Sequence, residues 1–515
     1  MSSRKELAKR NIVWGFIYRL ISVLGPFVTR SLFISRLGAD YLGLNGLFSS
    51  VLQMLSLAEL GFSSAVVFCM YKPAAEGDTE LVGAYLAYFK KIYRNIGLVV
   101  LACGIALVPF LDIFVKGTAP SDVNLKTAYL VYLSNTAISY LMYAYKQSIL
   151  SAYQRNDLIS KVNMIASLLM YSAQLLVLII APNFYLYILL LPAMTIASNL
   201  ITACLTDYCF PEYRDSRIKG LYLSKERKAE IRKHVGGLMV NRICSTTRDS
   251  MDSIVISTFL GLTSVAQYSN YFCVISSIFS VLSTINSAVG NSIGNSVAVE
   301  TPEKNYQDLR LFSFMYAMVS GVCTACLVVL FQPFIELWVG DAMLLPFGMA
   351  VLFSIYFYAR TIGDIRSLYE NATGIWWQMK GRMVVEAVLN VALNLLLVNA
   401  LGLYGVVLGT IVSLVSVNFL YGARLVFNLY FKNGKTLEHY LDHLSYACTA
   451  ALACSFSFAV TQFVFVDGFV GIALKGFITV LVSALVETAV FARRDRFKNA
   501  IHFASGFIGI RGNHD

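Results

Sequence analysis

Apolar residues in this chain gather in blocks of about 20, the length a helix needs to cross roughly 30 Å of hydrocarbon. Fourteen blocks can be marked, at residues 12–33, 42–70, 96–115, 127–151, 162–181, 184–206, 237–259, 267–297, 311–331, 344–370, 383–400, 403–423, 444–466 and 469–491. No period-two alternation of apolar and polar positions runs through them, which excludes a transmembrane β-barrel. The charged N-terminus, Met1 to Arg10, leads into a block of full length without a small-residue cleavage site. It reads as a retained first helix and not as a signal peptide. The pattern predicts an all-α polytopic membrane protein with about 14 transmembrane helices.

Composition agrees. Of 515 residues, 57% are hydrophobic and 14% charged, against roughly 25% charged in a soluble protein. Ten cysteines are scattered through the chain, mostly inside apolar blocks. The one CxxC, Cys323-Thr-Ala-Cys326, lies mid-span with no second pair to complete a metal site, so the cysteines read as small packing residues.

Charge sets the orientation. Thirty of the 41 Lys and Arg residues lie in the two tails or in loops after even-numbered spans, eight of them in the 207–236 loop. Loops after odd-numbered spans, with their edges, hold only Arg36, Lys116, Lys126 and Lys475. By the positive-inside rule, both termini and the 207–236 loop are expected on the cytoplasmic side. The net charge of +11 is then a topology signal and no mark of a nucleic-acid partner.

A weak repeat divides the first twelve spans. Ser31-Leu-Phe-Ile-Ser35 ends the first span and Ser253-Ile-Val-Ile-Ser257 the seventh, 222 positions later, with Leu37-Gly38 and Leu260-Gly261 following. Lys146-Gln-Ser-Ile-Leu-Ser-Ala152 in span four matches Arg366-Ser-Leu-Tyr-Glu-Asn-Ala372 in span ten, 220 positions on. The expected organisation is an N-lobe (1–206), a basic cytoplasmic loop (207–236), a C-lobe (237–430) and two extra spans with a tail (431–515). Six spans per repeat give the halves a common orientation and a pseudo-two-fold axis along the membrane normal, as in transporters with parallel repeats. The last two spans have no counterpart in the repeat and are expected to be separable from the core.

Ionisable residues in a span cost at least ~2.5 kcal/mol at its centre and mark candidate chemistry. In span one, Arg19, Ser22, Pro26, Thr29 and Arg30 share about 100° of helix arc. Asn45, Ser49, Gln53, Ser56, Glu59 and Ser63 form a stripe in span two. Arg242, Ser245, Arg248, Asp249 and Asp252 form one in span seven, and Ser276, Ser280, Ser283, Ser287 and Asn291 one in span eight. Span ten adds Arg360, Asp364 and Arg366. The arginines (Arg19, Arg30, Arg242, Arg248, Arg360, Arg366) are candidates for an anionic group, because a guanidinium keeps its proton. Asn45, Gln53, Ser280, Ser287 and Asn291 are candidates for sugar hydroxyls. Glu59, Asp249, Asp252 and Asp364 are candidates for ion coupling. Two structural readings stand beside these: Ser and Asn stripes that bond helix to helix, and mutual neutralisation of Arg248, Asp249 and Asp252. Enzyme chemistry finds little support. The five histidines lie in or beside cytoplasmic segments, no P-loop occurs, and no outer loop exceeds about twenty residues.

Several segments carry a resemblance. Asn11 to Gly61, with Ser35-Arg-Leu-Gly38, Tyr41-Leu-Gly43 and Glu59-Leu-Gly61, resembles the prokaryotic polysaccharide transporters of the MOP flippase superfamily. So do Asp252-Ser-Ile-Val-Ile-Ser257, Tyr268-Ser-Asn-Tyr271, Leu337-Trp-Val-Gly340 and Asn390 to Thr410. The similarity is diffuse and covers roughly residues 1–430. It implies twelve core helices in two bundles around a central cavity, with arginines that meet a pyrophosphate. It further implies a flippase for undecaprenyl-pyrophosphate-linked oligosaccharides in capsule, O-antigen or exopolysaccharide assembly. The expected site is a bacterial cytoplasmic membrane; the partners are membrane lipids and a glycan polymerase or other assembly protein, with no cofactor. Spans thirteen and fourteen resemble the extra pair of lipid II flippases, where they help form a groove for the lipid tail. Two alternatives remain: a drug/cation antiporter of the same superfamily, against which the basic in-span residues argue, and a membrane enzyme of glycan assembly.

Overall fold

The computed structural model describes residues 4–59, 62–117, 119–432 and 434–508, and the only regular structure among them is helical. Two compact units divide the chain, residues 1–266 and 267–515. The first contains α1 (Arg4–Arg36), α2 (Ala39–Leu55), α3 (Phe62–Glu76), α4 (Thr79–Leu107), α5 (Leu125–Leu141), α6 (Gln147–Ala152), α7 (Asn156–Ile180), α8 (Phe184–Cys209), α9 (Asp215–Ile218) and α10 (Lys225–Leu260). The helix α11 (Leu262–Val299) starts at its end and leads into the second unit. There follow α12 (Pro302–Val339), α13 (Phe347–Thr361), α14 (Asp364–Thr373), α15 (Trp376–Leu401), α16 (Leu403–Ser413), α17 (Gly422–Val426), α18 (Thr436–Thr461), α19 (Gly468–Phe491) and α20 (Asp495–Ile508).

Helix starts follow side-chain caps that accept orphan backbone N–H groups. Asp78 accepts from Leu81, Asn124 from Thr127, Asn183 from Leu186, Ser224 from Arg227 and Thr301 from Lys304. The ends repeat across the two halves. Gly38 and Gly261 close α1 and α10 with φ of 111° and 97°, and Gly117 and Gly340 sit at 87° each. Both pairs are 223 residues apart, and a residue with a Cβ would be strained at each.

Among the described residues, ten helices are long and apolar enough to cross a membrane by length and composition. The other four of the expected fourteen spans depart for two reasons. Span seven, α10, is continuous but carries Arg242, Arg248, Asp249 and Asp252. Spans two, four and ten are interrupted. Span two passes through a 3₁₀ turn at Ser56–Glu59. Span four breaks after α5, where Tyr143 is left-handed (φ 58°), and a 3₁₀ turn at Ala144–Lys146 leads into α6. Span ten breaks at Ile362 and Gly363, between α13 and α14. Each helix inside a bilayer must satisfy its own backbone, so breaks occur where protein or water supplies the missing partners.

In the first unit α1 lies along α7, α5 packs on α4 and α8, and α10 packs on α2 and α3. The seventh span, grouped with the second six by the repeat, is thus held here with the first. Ser250 of α10 donates to Gln53 Oε1 of α2 at 3.2 Å, and a side chain at Gly43 would collide with the Leu262 backbone.

In the second unit α12 is the hub. It is 61% buried over its most apolar stretch, against 17% for α19. Small residues along it (Ser313, Ala317, Ser320, Gly321, Thr324) are buried and admit α18 and α19 closely. Phe314, Ala317, Tyr446 and Phe491 form the apolar cluster at this junction, and Arg310 of α12 pairs with Asp442 of α18 at 2.9 Å. The last two spans are therefore seated on α12, and their removal would uncover this face.

One glycine tests the packing. Gly402 (φ 58°) reverses the chain between α15 and α16, and a Cβ on Gly405 would strike the Leu397 carbonyl, a backbone atom that cannot swing aside. Gly405→Ala is expected to cost ~1–3 kcal/mol and to lower both membrane abundance and the melting temperature in detergent. Gly15→Ala, with open space around its Cβ position, is expected to change neither.

Candidate functional site

A hollow in the second unit, with a polar stripe on one wall, has a volume of about 620 Å³. One wall is a stripe of α11: Ser283, Asn286, Ser287, Gly290, Asn291 and Gly294. The other is α14, through Leu368, Asn371 and Ala372. Residues spaced by three and four share a helix face, so the α11 stripe follows from periodicity alone. Ser287 donates to the Ser283 carbonyl at 2.8 Å, which satisfies its proton within the helix and leaves hydroxyl lone pairs to accept from a ligand. The lining offers hydroxyls and amides and no carboxylate.

Of the predicted residues, Ser287 and Asn291 line this hollow, while Ser280 lies on the same helix outside the lining. Asn286 and Asn371 were missed by sequence reasoning, although Asn286 sits three residues after Ser283 on the same face. Asn286 Nδ2 donates to Asp364 Oδ2 (3.2 Å) and to Tyr316 Oη (3.0 Å), and Tyr316 Oη donates to Asp364 Oδ2 (2.7 Å). Asp364, the first residue of α14, is thus held by α11 and α12 at the edge of the hollow. Arg360, in the last turn of α13, donates to Tyr356 Oη at 2.9 Å and stacks over the Phe279 ring at 4.8 Å.

In the first unit, Arg19 and Arg242 are exposed and Arg30 is half-buried. Arg248 is bound to its neighbour: its Nε donates to Asp249 Oδ1 at 3.2 Å. Asp252 is buried. Asn45 accepts from Tyr132 Oη at 2.9 Å, and Gln53 accepts from Ser250. The side chain of Glu59 lies outside the described residues. A polar cavity of about 320 Å³, also missed, lies among α1, α5, α6, α7 and α8, with Asn135, Gln147, Asn163, Thr195 and Asn199 on its wall.

Arg366 has a different setting from the expected one. It is fully buried, with Nη1 2.8 Å from Glu370 Oε1 and Nη2 donating to Asn418 Oδ1 at 3.1 Å. Arg382 joins Glu370 (3.6 Å) and Glu386 (3.0 Å), and Asn418 donates back to Glu386 at 2.9 Å. Two arginines and two glutamates thus balance inside the protein. The backbone makes room: residues 414–421 and 427–431 are π-helical, and a Cβ at Gly422 would collide with the Arg366 guanidinium.

Its partner in the repeat behaves alike. Lys146 is buried, with Nζ 2.6 Å from both Asp207 oxygens and 3.9 Å from Asp215. Burial opposes ionisation of Asp215, yet hydrogen bonds from Lys90 Nζ and Tyr145 Oη (2.6 Å each) and the Lys146 charge hold its carboxyl below the usual range. Its contribution to stability is therefore present above the unfolded value of ~3.9 and lost as pH falls through the folded one. A third centre is Asp157, fully buried, with Arg10 at 2.9 Å and Arg155 at 3.0 Å.

Removing one partner of such a network strands a charge, at ~3–5 kcal/mol. Arg366→Ala is expected to lower membrane abundance strongly, and adding Glu370→Gln to recover part of it, as read by immunoblot of membranes. Gly422→Ala should mimic the single loss.

No family model matches the sequence, and no curated protein matches it. Solved structures match in fold. An inward-facing multidrug resistance MATE family transporter of the MOP superfamily has a TM-score of 0.62 and 17% identity, covering 81% of this chain and 99% of its own. The lipid II flippase MurJ, in an inward closed conformation, has 0.66 and 16%, covering 94% and 98%. The Vibrio cholerae MATE transporter VcmN, in a bent form, has 0.52 and 16%, covering 84% and 98%. At such identities the likeness is one of architecture: this chain has the many-helix membrane fold of MOP-superfamily transporters and flippases.

Proposed function

We propose that this protein is a flippase for polyprenyl-pyrophosphate-linked oligosaccharide, of the undecaprenyl type, in a bacterial cytoplasmic membrane. The observation that carries the reading is the 620 Å³ hollow walled by hydroxyls and amides and free of carboxylates among its lining residues. Sugar hydroxyls both donate and accept, and such a wall meets them without imposing a charge. The exposed Arg19 and Arg242, with Arg248, are the candidates for the pyrophosphate, which a guanidinium fork binds in two parallel hydrogen bonds. Arg366 is left out of this set because its guanidinium is engaged with Glu370 and Asn418. The sugar head follows polar walls while its lipid tail stays in hydrocarbon. Support also comes from the share of the chain covered by the MurJ structure, 94% against 81% for the inward-facing MATE structure, as two spans beyond twelve would give.

The MATE likeness favours a second reading, a multidrug or cation antiporter. A cationic drug is met by a carboxylate; none is among the lining residues, and the one at the edge, Asp364, is engaged by Asn286 and Tyr316, which weighs against this reading. Transfer of the lipid-linked glycan between leaflets of proteoliposomes separates the two, and product formation without transfer would point instead to an enzyme.

For the exposed arginines, Ala at Arg19 or Arg242 is expected to reduce glycan export severely at normal membrane abundance, with Lys retaining part of it. Normal export in Arg19→Ala would remove that residue from the site. For Arg248, rescue of Arg248→Ala by Asp249→Asn would assign it to structure. Cysteine labelling in intact cells should find both tails and the 207–236 loop protected, as the charge pattern requires; a tail reached from outside would overturn the orientation.

A further inference from the structure

The helix α18 begins with two histidines one turn apart, His439 and His443, both buried. Their ring centroids are 4.5 Å apart. Neither ring nitrogen of His443 has a hydrogen-bond partner in the protein, nor has Nε2 of His439. His443 faces a small void of about 10 Å³, shared with Ser313, Tyr316 and Ser320 of α12 and with Thr361 and Ile365 of span ten. The Ser320 hydroxyl on the same void is also unpartnered. Each buried polar group left so costs ~1–3 kcal/mol, and a polar void of ~10–15 Å³ takes one water. Tyr316 connects this void to the large hollow, because its hydroxyl also meets Asp364 and Asn286, and Asn286 lines that hollow. A polar chain therefore runs from the hollow through Asp364, Tyr316, the void, His443 and His439 to the N-terminal end of α18.

We propose that Asp364, Tyr316, His443 and His439 form a proton path between the polar hollow and the N-terminal end of α18, through which transport is coupled to proton movement. The coupling rests on the transporter reading above; the path itself does not. Asp364, protonated from the hollow, gives its proton to the Tyr316 oxygen as the phenol passes its own to a water in the void. That water protonates a nitrogen of His443. The net change is from carboxylic acid to carboxylate at Asp364 and from imidazole to imidazolium at His443, and no bond to carbon is altered. His439 then takes the proton to the end of the helix, which the charge pattern places in the cytoplasm, beside Lys435 and Glu438.

A buried imidazole such as that of His443, with a guanidinium nearby, holds an extra proton only in transit. On its own helix are His439 and Tyr446, the latter at 5.5 Å between ring centroids. Arg366 approaches from α14 but is balanced within the network of Glu370, Arg382 and Glu386. Arg310 of α12 is paired with Glu438 and Asp442, and the 414–421 segment presents the uncharged Phe419 at 4.9 Å. Near Tyr316, the other titratable groups are Asp364 and the Cys323 thiol.

The test uses full-length protein in vesicles holding a pH-sensitive dye, with a valinomycin-set potential, with and without undecaprenyl-pyrophosphate-linked glycan. Wild type is expected to carry protons faster than protein-free vesicles. Asp364→Asn and His443→Gln should fall to the protein-free rate, Tyr316→Phe should lose most of the flux, and His502→Gln should keep it. Tyr316→Phe removes a single oxygen from the void, so it reports on the path even where a histidine variant fails to fold. Wild-type flux at the protein-free rate under both conditions, or full flux in Tyr316→Phe, overturns the proposal. Glycan transfer between leaflets is read separately in the same vesicles. Transfer without proton flux sinks the path and leaves the flippase; proton flux without transfer sinks the flippase and leaves the path.

Discussion

A charge inside hydrocarbon must be neutralised within the protein or kept in contact with water, and the organisation of this molecule follows from that constraint. Both solutions are present. Arg366 and Lys146 are buried, and each meets opposite charge, at 2.8 and 2.6 Å. Arg19 and Arg242 stay exposed. The two groups answer to different physics: the first is neutralised inside the protein, and the second keeps its charge in contact with the surroundings. An arginine in a span is therefore not one kind of signal, and only its partners tell which kind it is.

The buried charges coincide with broken helices. Span four is interrupted just before Lys146 and span ten just before Arg366. A broken span exposes backbone groups that need partners, and it also turns the following segment so that a long basic side chain can lie inside the bundle. In the second unit the cost of housing Arg366 is visible in the chain around it, where two π-helical stretches and a glycine at 422 clear its volume. The same pairing of break and buried base in both halves, with Gly38 matching Gly261 and Gly117 matching Gly340, is what a duplicated design would leave behind.

The second unit joins three tasks on one helix. The small-residue face of α12 receives α18 and α19, its Tyr316 holds Asp364 at the edge of the polar hollow, and its Arg310 fixes the start of α18. The last two spans thus touch the same helix that supports the hollow, which gives them a route of influence on it beyond any role toward lipid.

Much was legible in the sequence because hydropathy in a bilayer is nearly a complete statement of helix position: water is absent, and every span must satisfy its own backbone. The all-helical class, ten of the fourteen spans and the stripe of Ser287 and Asn291 come from the pattern along single helices, and the correspondence of Lys146 with Arg366 comes from the 220-residue offset between two similar segments. Arg366 also stands out in the sequence as an in-span cation, where it groups with the arginines expected to meet an anionic ligand. Its true neighbours, Glu370, Arg382, Glu386 and Asn418, lie four to 52 residues away, and nothing local distinguishes a partnered arginine from an exposed one. The grouping of α10 with the first unit, the seat of α18 on α12 and the void beside His443 were decided by tertiary structure alone. Each depends on which faces of separate helices meet, and a one-dimensional pattern gives the face of a helix but not what lies against it.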